Sequence, residues 1–171
     1  GVRIDEGAAA MNAYAAVYAK MARISGVCPM IALILGPVCG GAALIAQIAD
    51  ITIQSADVGS LMVYGPQVVS AVTGETVDAK QLGGADNMAS QGGVALTAAN
   101  EDEAMALTAS ILELLPGCNM EDAPMFDSDD LNRELDNVDA GDSDALLAGM
   151  ADDGLFREFY PAWGKELRVA L

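Results

Sequence analysis

From Ile24 to Ala49 the chain carries no charged residue. An uncharged apolar run of that length is either a membrane span or the inside of a folded domain. Punctuation decides between them. Pro29, Pro37 and the glycines at 26, 36, 40 and 41 cut the run into pieces too short for a bilayer helix. The reading taken is a buried strand, a sharp turn and a helix. MIALIL at 30–35 is of strand length and apolar throughout, as strands buried on both faces are. Gly36-Pro37 ends it, and GGAALIAQIA at 40–49 reads as a helix. A short strand follows at ITIQ, 51–54.

The flanking segments extend this pattern. Residues 7–24 are Ala-rich, with Met11, Tyr14, Ala15, Tyr18, Met21 and Ala22 at three- and four-residue spacing, which predicts an amphipathic helix with a tightly packing face. Leu61 to Val63 is a further strand candidate. Gly65-Pro66 is a turn, with Pro66 suited to a first helical position. The glycine-rich stretch 83–93 reads as loop and VALTA at 94–98 as strand. Asn100 and Glu103 have capping-box spacing before a helix of about 101–115, which Pro116-Gly117 stops. A short helix is expected near 143–150, and a strand-like LRVAL closes the chain.

Charge divides the 171 residues. Residues 1–99 hold seven acids and four bases, whereas 100–171 hold 18 acids and four bases. Twelve of the acids lie in 121–153 against a single base, the mark of a solvated connector. The net charge of −17 opposes binding to nucleic acid. There is no histidine, so these residues supply no Ser-His or Cys-His nucleophile, no imidazole base and no His-ligated zinc. Three cysteines without a CxxC suggest neither a disulfide framework nor a metal site and fit a reducing, cytoplasmic compartment.

Chemistry is then left to backbone dipoles, carboxylates or another chain. A strand runs into Gly36-Pro37, and Gly40, Gly41 and Ala42 begin a helix. The first N–H groups of a helix have no intrahelical partner, and the helix dipole adds positive potential there. Such a place can bind an oxyanion without a catalytic side chain. The competing reading is a close helix–strand crossing that needs small residues.

Longer motifs weigh on that choice. GVRIDEG at 1–7 looks like the tail of SGGARxxEG, and GPVCGGA at 36–42 is similar to GPCAGGA. YGPQVVSAVTGETVDAKQLGGA at 64–85 resembles a GPxVVxxVTGExVxxxxLGGA pattern. ILELLPGCNMEDAP at 111–124 resembles a helix ending in LLPxNxxxxPP, and 144–171 resembles the passage toward GFARxxG. In this order the motifs resemble the carboxyltransferase subunit of biotin-dependent acyl-CoA carboxylases and of related methylmalonyl-CoA and glutaconyl-CoA decarboxylases. The resemblance implies an α/β crotonase-type fold, as an incomplete N-terminal carboxyltransferase domain. It implies an acyl-CoA-binding segment at 1–120, an acidic connector at 121–153 and, at 154–171, the start of a passage to a second half that binds biotin.

The resemblance also implies a site. The thioester oxygen of a small acyl-CoA would rest on backbone N–H groups of Gly40, Gly41 and Ala42, with Val2 as a possible further donor. Arg3, Gly36, Gly65 and Pro66 are weaker candidates for acyl-CoA contact. An enolate would form whichever way the carboxyl group moves. Biotin would come on a carrier protein, the subunit would form a homo-oligomer such as the family hexamer, and decarboxylase complexes would add a membrane partner. Being partial, the chain is expected to be inert by itself, either as a fragment or until paired with another chain.

The departures are specific. Hydratases of this fold place a glutamate shortly after the glycines, where this chain has Ala43, Leu44 and Ile45. The carboxyltransferases commonly read AVYSPAL there, so Leu44-Ile45 replaces a Tyr-Ser pair. Met88 stands where the family often has a histidine. A non-biotin acyl-CoA enzyme of the same fold and a non-catalytic assembly subunit therefore stay open as alternatives. Asp5 and Glu6 are expected to cap the helix beginning at Gly7, and Arg3 to pair with one of them if it does not contact CoA phosphate. Cys39 is read as a small filler. Asp127, Asp129 and Asp130 lack EF-hand spacing. Phe156, Phe159 and Trp163 are read as an interface patch.

Overall fold

The computed structural model describes residues 3–125, 134, 141–151, 155–164 and 168–171. After a 3-10 turn at Ile4–Glu6, α1 spans Ala8–Ile24. The central run becomes β1 (Ile31–Ile34), β2 (Pro37–Cys39) and α2 (Gly41–Ile48). Then come β3 (Ile51–Ser55), β4 (Ser60–Met62), α3 (Pro66–Thr73), α4 (Ala79–Gly83) and α5 (Ala85–Ser90). Strand β5 (Leu96–Ala98) leads into α6 (Glu101–Leu112). Within the acidic segment lies α7 (Ser143–Met150), and after it β6 (Glu158–Phe159) and β7 (Val169–Ala170).

Strands β1, β3 and β5 form a parallel sheet in the order β1-β3-β5, with Ile31 opposite Ile51 and Ile53 opposite Leu96. Parallel neighbours need crossovers, and α2 and the α3–α5 run supply them. One face of the sheet packs on α6 through Ile53, Ala95, Leu96, Ala98, Ala104 and Ile111. The other packs on α2 through Ile34, Ala43, Ala46, Leu61 and Val94. These are small and branched aliphatic side chains, as a 5% aromatic content requires. β6 and β7 pair antiparallel, and Arg168 ties this hairpin to α7 through Glu158, Asp144 (2.7 Å) and Ser143 (3.1 Å). Those carboxylates hold the Arg168 guanidinium well above its ordinary pKa.

Several expectations are corrected. Strand β2, which the sequence reading did not foresee, pairs in parallel with β4, Pro37 opposite Ser60. Pro37 is tolerated because it is the first residue of its strand. The stretch 83–93 is partly helical rather than loop. Asp78 accepts from the Gln81 N–H at 2.7 Å while Gln81 accepts from Asp78, starting α4 with a full capping box. Its glycines serve contact, not flexibility: a Cβ on Gly83 would come 2.2 Å from the Leu61 carbonyl oxygen in β4. The Asn100 side chain caps α6, but Glu103 accepts the Ala99 N–H (2.7 Å). Asp5 and Glu6 do not cap α1; Gly7 is its N-cap, without a side-chain bond. Met11, Ala15 and Ala22 are exposed, so α1 buries a narrower stripe through Ala10, Tyr14, Tyr18 and Met21. Phe159 turns inward onto the α6-side core and so leaves the expected patch, while Trp163 lies over Gly92 and stays exposed.

A polar residue inside β3 holds this region. Gln54 is fully buried and donates to the carbonyls of Gly59 (3.2 Å) and Gly83 (2.8 Å), joining the β3–β4 turn to α4.

The glycine contacts give a stability test. Gly83→Ala should lose roughly 2–4 kcal/mol in urea denaturation, because backbone must move to admit the methyl group. Gly36→Ala, where a Cβ meets nothing within 4 Å, should stay within about 0.5 kcal/mol of the parent.

Candidate functional site

The turn from β2 into α2 is made by Gly40, the helix N-cap, at φ 65° and ψ −130°. That left-handed conformation is open to glycine and strained for other residues. It sends the Gly40 N–H back to β4, where it bonds the carbonyls of Val63 (3.1 Å) and Met62 (3.3 Å). The Gly40 carbonyl accepts from Ala43 (3.0 Å) and Leu44 (3.3 Å). The expectation of three free donors therefore narrows. Gly40 contributes geometry, while the N–H groups of Gly41 and Ala42 have no acceptor among the described residues. Both stand at the positive end of α2, in a stretch without charged residues.

Gly41 also faces α1. A Cβ there would lie 3.0 Å from the Tyr18 hydroxyl and 3.3 Å from the Tyr14 ring, so the close approach that needs a small residue here is between helices α1 and α2 and not the helix–strand crossing expected. The Tyr18 hydroxyl donates to the Gly41 carbonyl at 2.8 Å.

Other named residues gather along the β2–β4 ribbon. The Gly36 carbonyl accepts from the Ser60 N–H at 3.1 Å. The Cys39 thiol points to the Val63 carbonyl, 3.6 Å away. Gly65 begins α3 beside Cys39, with Pro66 at the first helical position. Arg3 lies elsewhere, ahead of α1, paired with Glu6 at 3.3 Å. Val2 falls outside the described residues, as do Asp127, Asp129 and Asp130.

Beside α2 opens a cavity of about 440 Å³, lined mainly by Leu44, Met62, Val63, Tyr64, Val69 and Met88. It does not include Gly41 or Ala42. Leu44 and Met88, two positions where the sequence departs from the carboxyltransferase pattern, line this same apolar wall. Met62 and Val69 were not singled out by sequence; nothing short of the fold reveals that they meet. Among the described residues no cluster of metal-ligating side chains exists, and no helix is long and apolar enough to cross a membrane. The three cysteines are unpaired.

The Gly40 turn is testable without a ligand. Gly40→Ala should destabilise by roughly 1–3 kcal/mol in chemical denaturation, the range for a forced left-handed residue. An unchanged midpoint would mean that the turn relaxes at no cost.

Comparison with known proteins follows the same lines. The carboxyl transferase domain profile matches residues 1–171. Methylmalonyl-CoA decarboxylase subunit alpha of Veillonella parvula is 34% identical over 178 residues, covering 98% of this chain and 35% of that protein. Propionyl-CoA carboxylase beta chain of Saccharopolyspora erythraea is 34% identical over 154 residues, covering 90% and 28% respectively. A solved structure of transcarboxylase 12S, with methylmalonyl-coenzyme A and methylmalonic acid bound, superimposes with a TM-score of 0.91 at 29% identity. That match covers 98% of this chain and 34% of the solved one. The chain spans about a third of the length of the relatives it matches. On a profile match along its whole length, the chain belongs to the carboxyl transferase domain family, with the crotonase-type α/β fold that the superposition displays.

Proposed function

We propose that this chain is the acyl-CoA-binding part of a biotin-dependent carboxyltransferase that works on small acyl groups of the propionyl/methylmalonyl class. The observation that carries the reading is the pair of N–H groups, Gly41 and Ala42, at the start of α2 that have no acceptor among the described residues. A thioester oxygen seated on them gains little as a neutral carbonyl and much as an enolate, since the donors meet growing negative charge. Loss of one such donor in other enzymes costs about 2.7–4 kcal/mol of transition-state stabilisation.

The same device serves both directions. Removing the carboxyl group from the substrate as CO₂ leaves its bonding pair as the enolate. In the forward direction the enolate carbon attacks CO₂. Carboxybiotin, on a carrier protein, would supply that CO₂ and the biotin nitrogen so freed would take the substrate α-proton; in the reverse direction biotin would accept the CO₂ and the proton would return to the enolate carbon. Ala43, Leu44 and Ile45 offer no carboxylate for adding water to an enoyl group, which favours carboxyl transfer over hydration. The relatives named for decarboxylation and for carboxylation both fit this enolate.

The reading extends to organisation. Residues 1–120 form the acyl-CoA segment, 121–153 the connector and 154–171 the passage toward a biotin-binding half. Val2 is the further donor. Gly36, Gly65 and Pro66 edge the acyl-CoA site, and Arg3, paired with Glu6 ahead of α1, would reach the CoA only by leaving that ion pair. The subunit assembles with copies of itself, as the hexamer of transcarboxylase 12S does, and acts in the cytoplasm.

The test is a thermal melt of the full chain with propionyl-CoA and, separately, with CoA alone. Propionyl-CoA at a hundredfold excess over its dissociation constant should raise Tm by roughly 5–10 °C. CoA alone should give a smaller rise. No rise with propionyl-CoA would count against the reading.

A further inference from the structure

Tyr18 and the Ala42 N–H share a peptide group. The Tyr18 hydroxyl donates to the Gly41 carbonyl at 2.8 Å, across 23 residues of sequence and in a half-buried setting. That carbonyl and the Ala42 N–H are the two ends of one planar, resonant peptide unit. A donor on the oxygen draws electron density toward it and leaves the N–H more positive. Coupled hydrogen bonds strengthen one another in this way. The hydroxyl therefore stands one peptide unit behind the amide to which the proposed function gives the thioester oxygen.

The arrangement is built for contact at this atom. The Tyr18 ring cannot approach unless residue 41 lacks a Cβ, since one there would sit 3.0 Å from the hydroxyl oxygen. Tyr14, one turn earlier on α1, flanks the same glycine and packs on Tyr18 with ring centroids 6.1 Å apart. Both rings are half-buried, so bulk water competes weakly for the Gly41 carbonyl. Tyr18 holds the carbonyl end of the peptide carrying the Ala42 N–H, and the Gly40 N–H, bonded to the Met62 and Val63 carbonyls, anchors the turn two peptide units before it.

We infer that Tyr18 is a positioning residue for the oxyanion site: its hydroxyl orients and polarises the Gly41–Ala42 peptide so that the Ala42 N–H donates more strongly to a thioester enolate. This rests on the enolate-binding reading above. The effect grows with charge on the ligand oxygen, so it belongs to the chemical step more than to binding.

Tyr18→Phe keeps the ring on Gly41 and removes only the donor. In the full chain with propionyl-CoA ¹³C-labelled at the thioester carbonyl, bound ligand should show a carbonyl stretch below that of free ligand. In Tyr18→Phe the stretch should return part of the way toward the free value, with affinity changed less than twofold. The Ala42 amide resonance should move upfield in the same variant. Where carboxyl transfer is assayed, kcat should fall roughly 3- to 10-fold with KM nearly constant, the size of one neutral hydrogen bond. A fluorinated tyrosine at position 18, a stronger donor of nearly the same shape, should lower the stretch further and keeps the test open if the Phe variant folds poorly. An identical stretch in parent, Phe and fluorinated proteins overturns the inference while leaving the oxyanion reading intact. No lowering in the parent overturns the oxyanion reading, and the inference falls with it.

Discussion

The Gly40 turn is the constraint on which the rest depends. Its positive φ lets the chain leave β2 and start α2 within one residue. Its N–H, spent on the Met62 and Val63 carbonyls, locks the turn to β4. Because β4 is itself in register with β2, the turn, the ribbon and the helix start form one rigid unit. What remains at the end of that unit is the N–H groups of Gly41 and Ala42, without an acceptor among the described residues. An oxyanion site made this way, as proposed for these amides, would cost the chain no buried charge.

Much of this was legible in the amino-acid order, for reasons that can be named. Helix α1 shows its period through Tyr14, Tyr18 and Met21. Strand β1 shows as an apolar run bounded by Pro29 and Gly36, β3 as the alternating Ile-Thr-Ile-Gln, α3 by Pro66 at its first position, and α6 by Asn100. What was illegible depends on distant partners. Strand β2 is three residues long and exists because Ser60–Met62 lies beside it. Gly83 and Gly84 look like loop residues in one dimension. In three dimensions they are where α4 can rest on the Leu61 backbone and close on Lys80.

The candidate site divides in the same way. That the GGA stretch begins a helix, and that helix starts present unpaired N–H groups, follows from local rules. Which of those groups stays unpaired does not, since β4 takes the Gly40 donor and leaves Gly41 and Ala42. Gly41 has a double duty the sequence does not announce: its missing Cβ admits the Tyr18 and Tyr14 rings. The cavity is drawn from β4, α2, α3, α4 and α5, so Leu44 and Met88 become neighbours across some forty residues of chain. Their shared location turns two isolated departures into one apolar wall.

The central claim is that Gly41 and Ala42 hold the thioester oxygen. A crystal structure of the full chain with propionyl-CoA tests it most directly. The account predicts that oxygen within about 2.7–3.1 Å of both backbone nitrogens, the range expected of oxyanion donors. A thioester lodged instead in the Leu44–Met88 cavity, with both amides facing water, would contradict it.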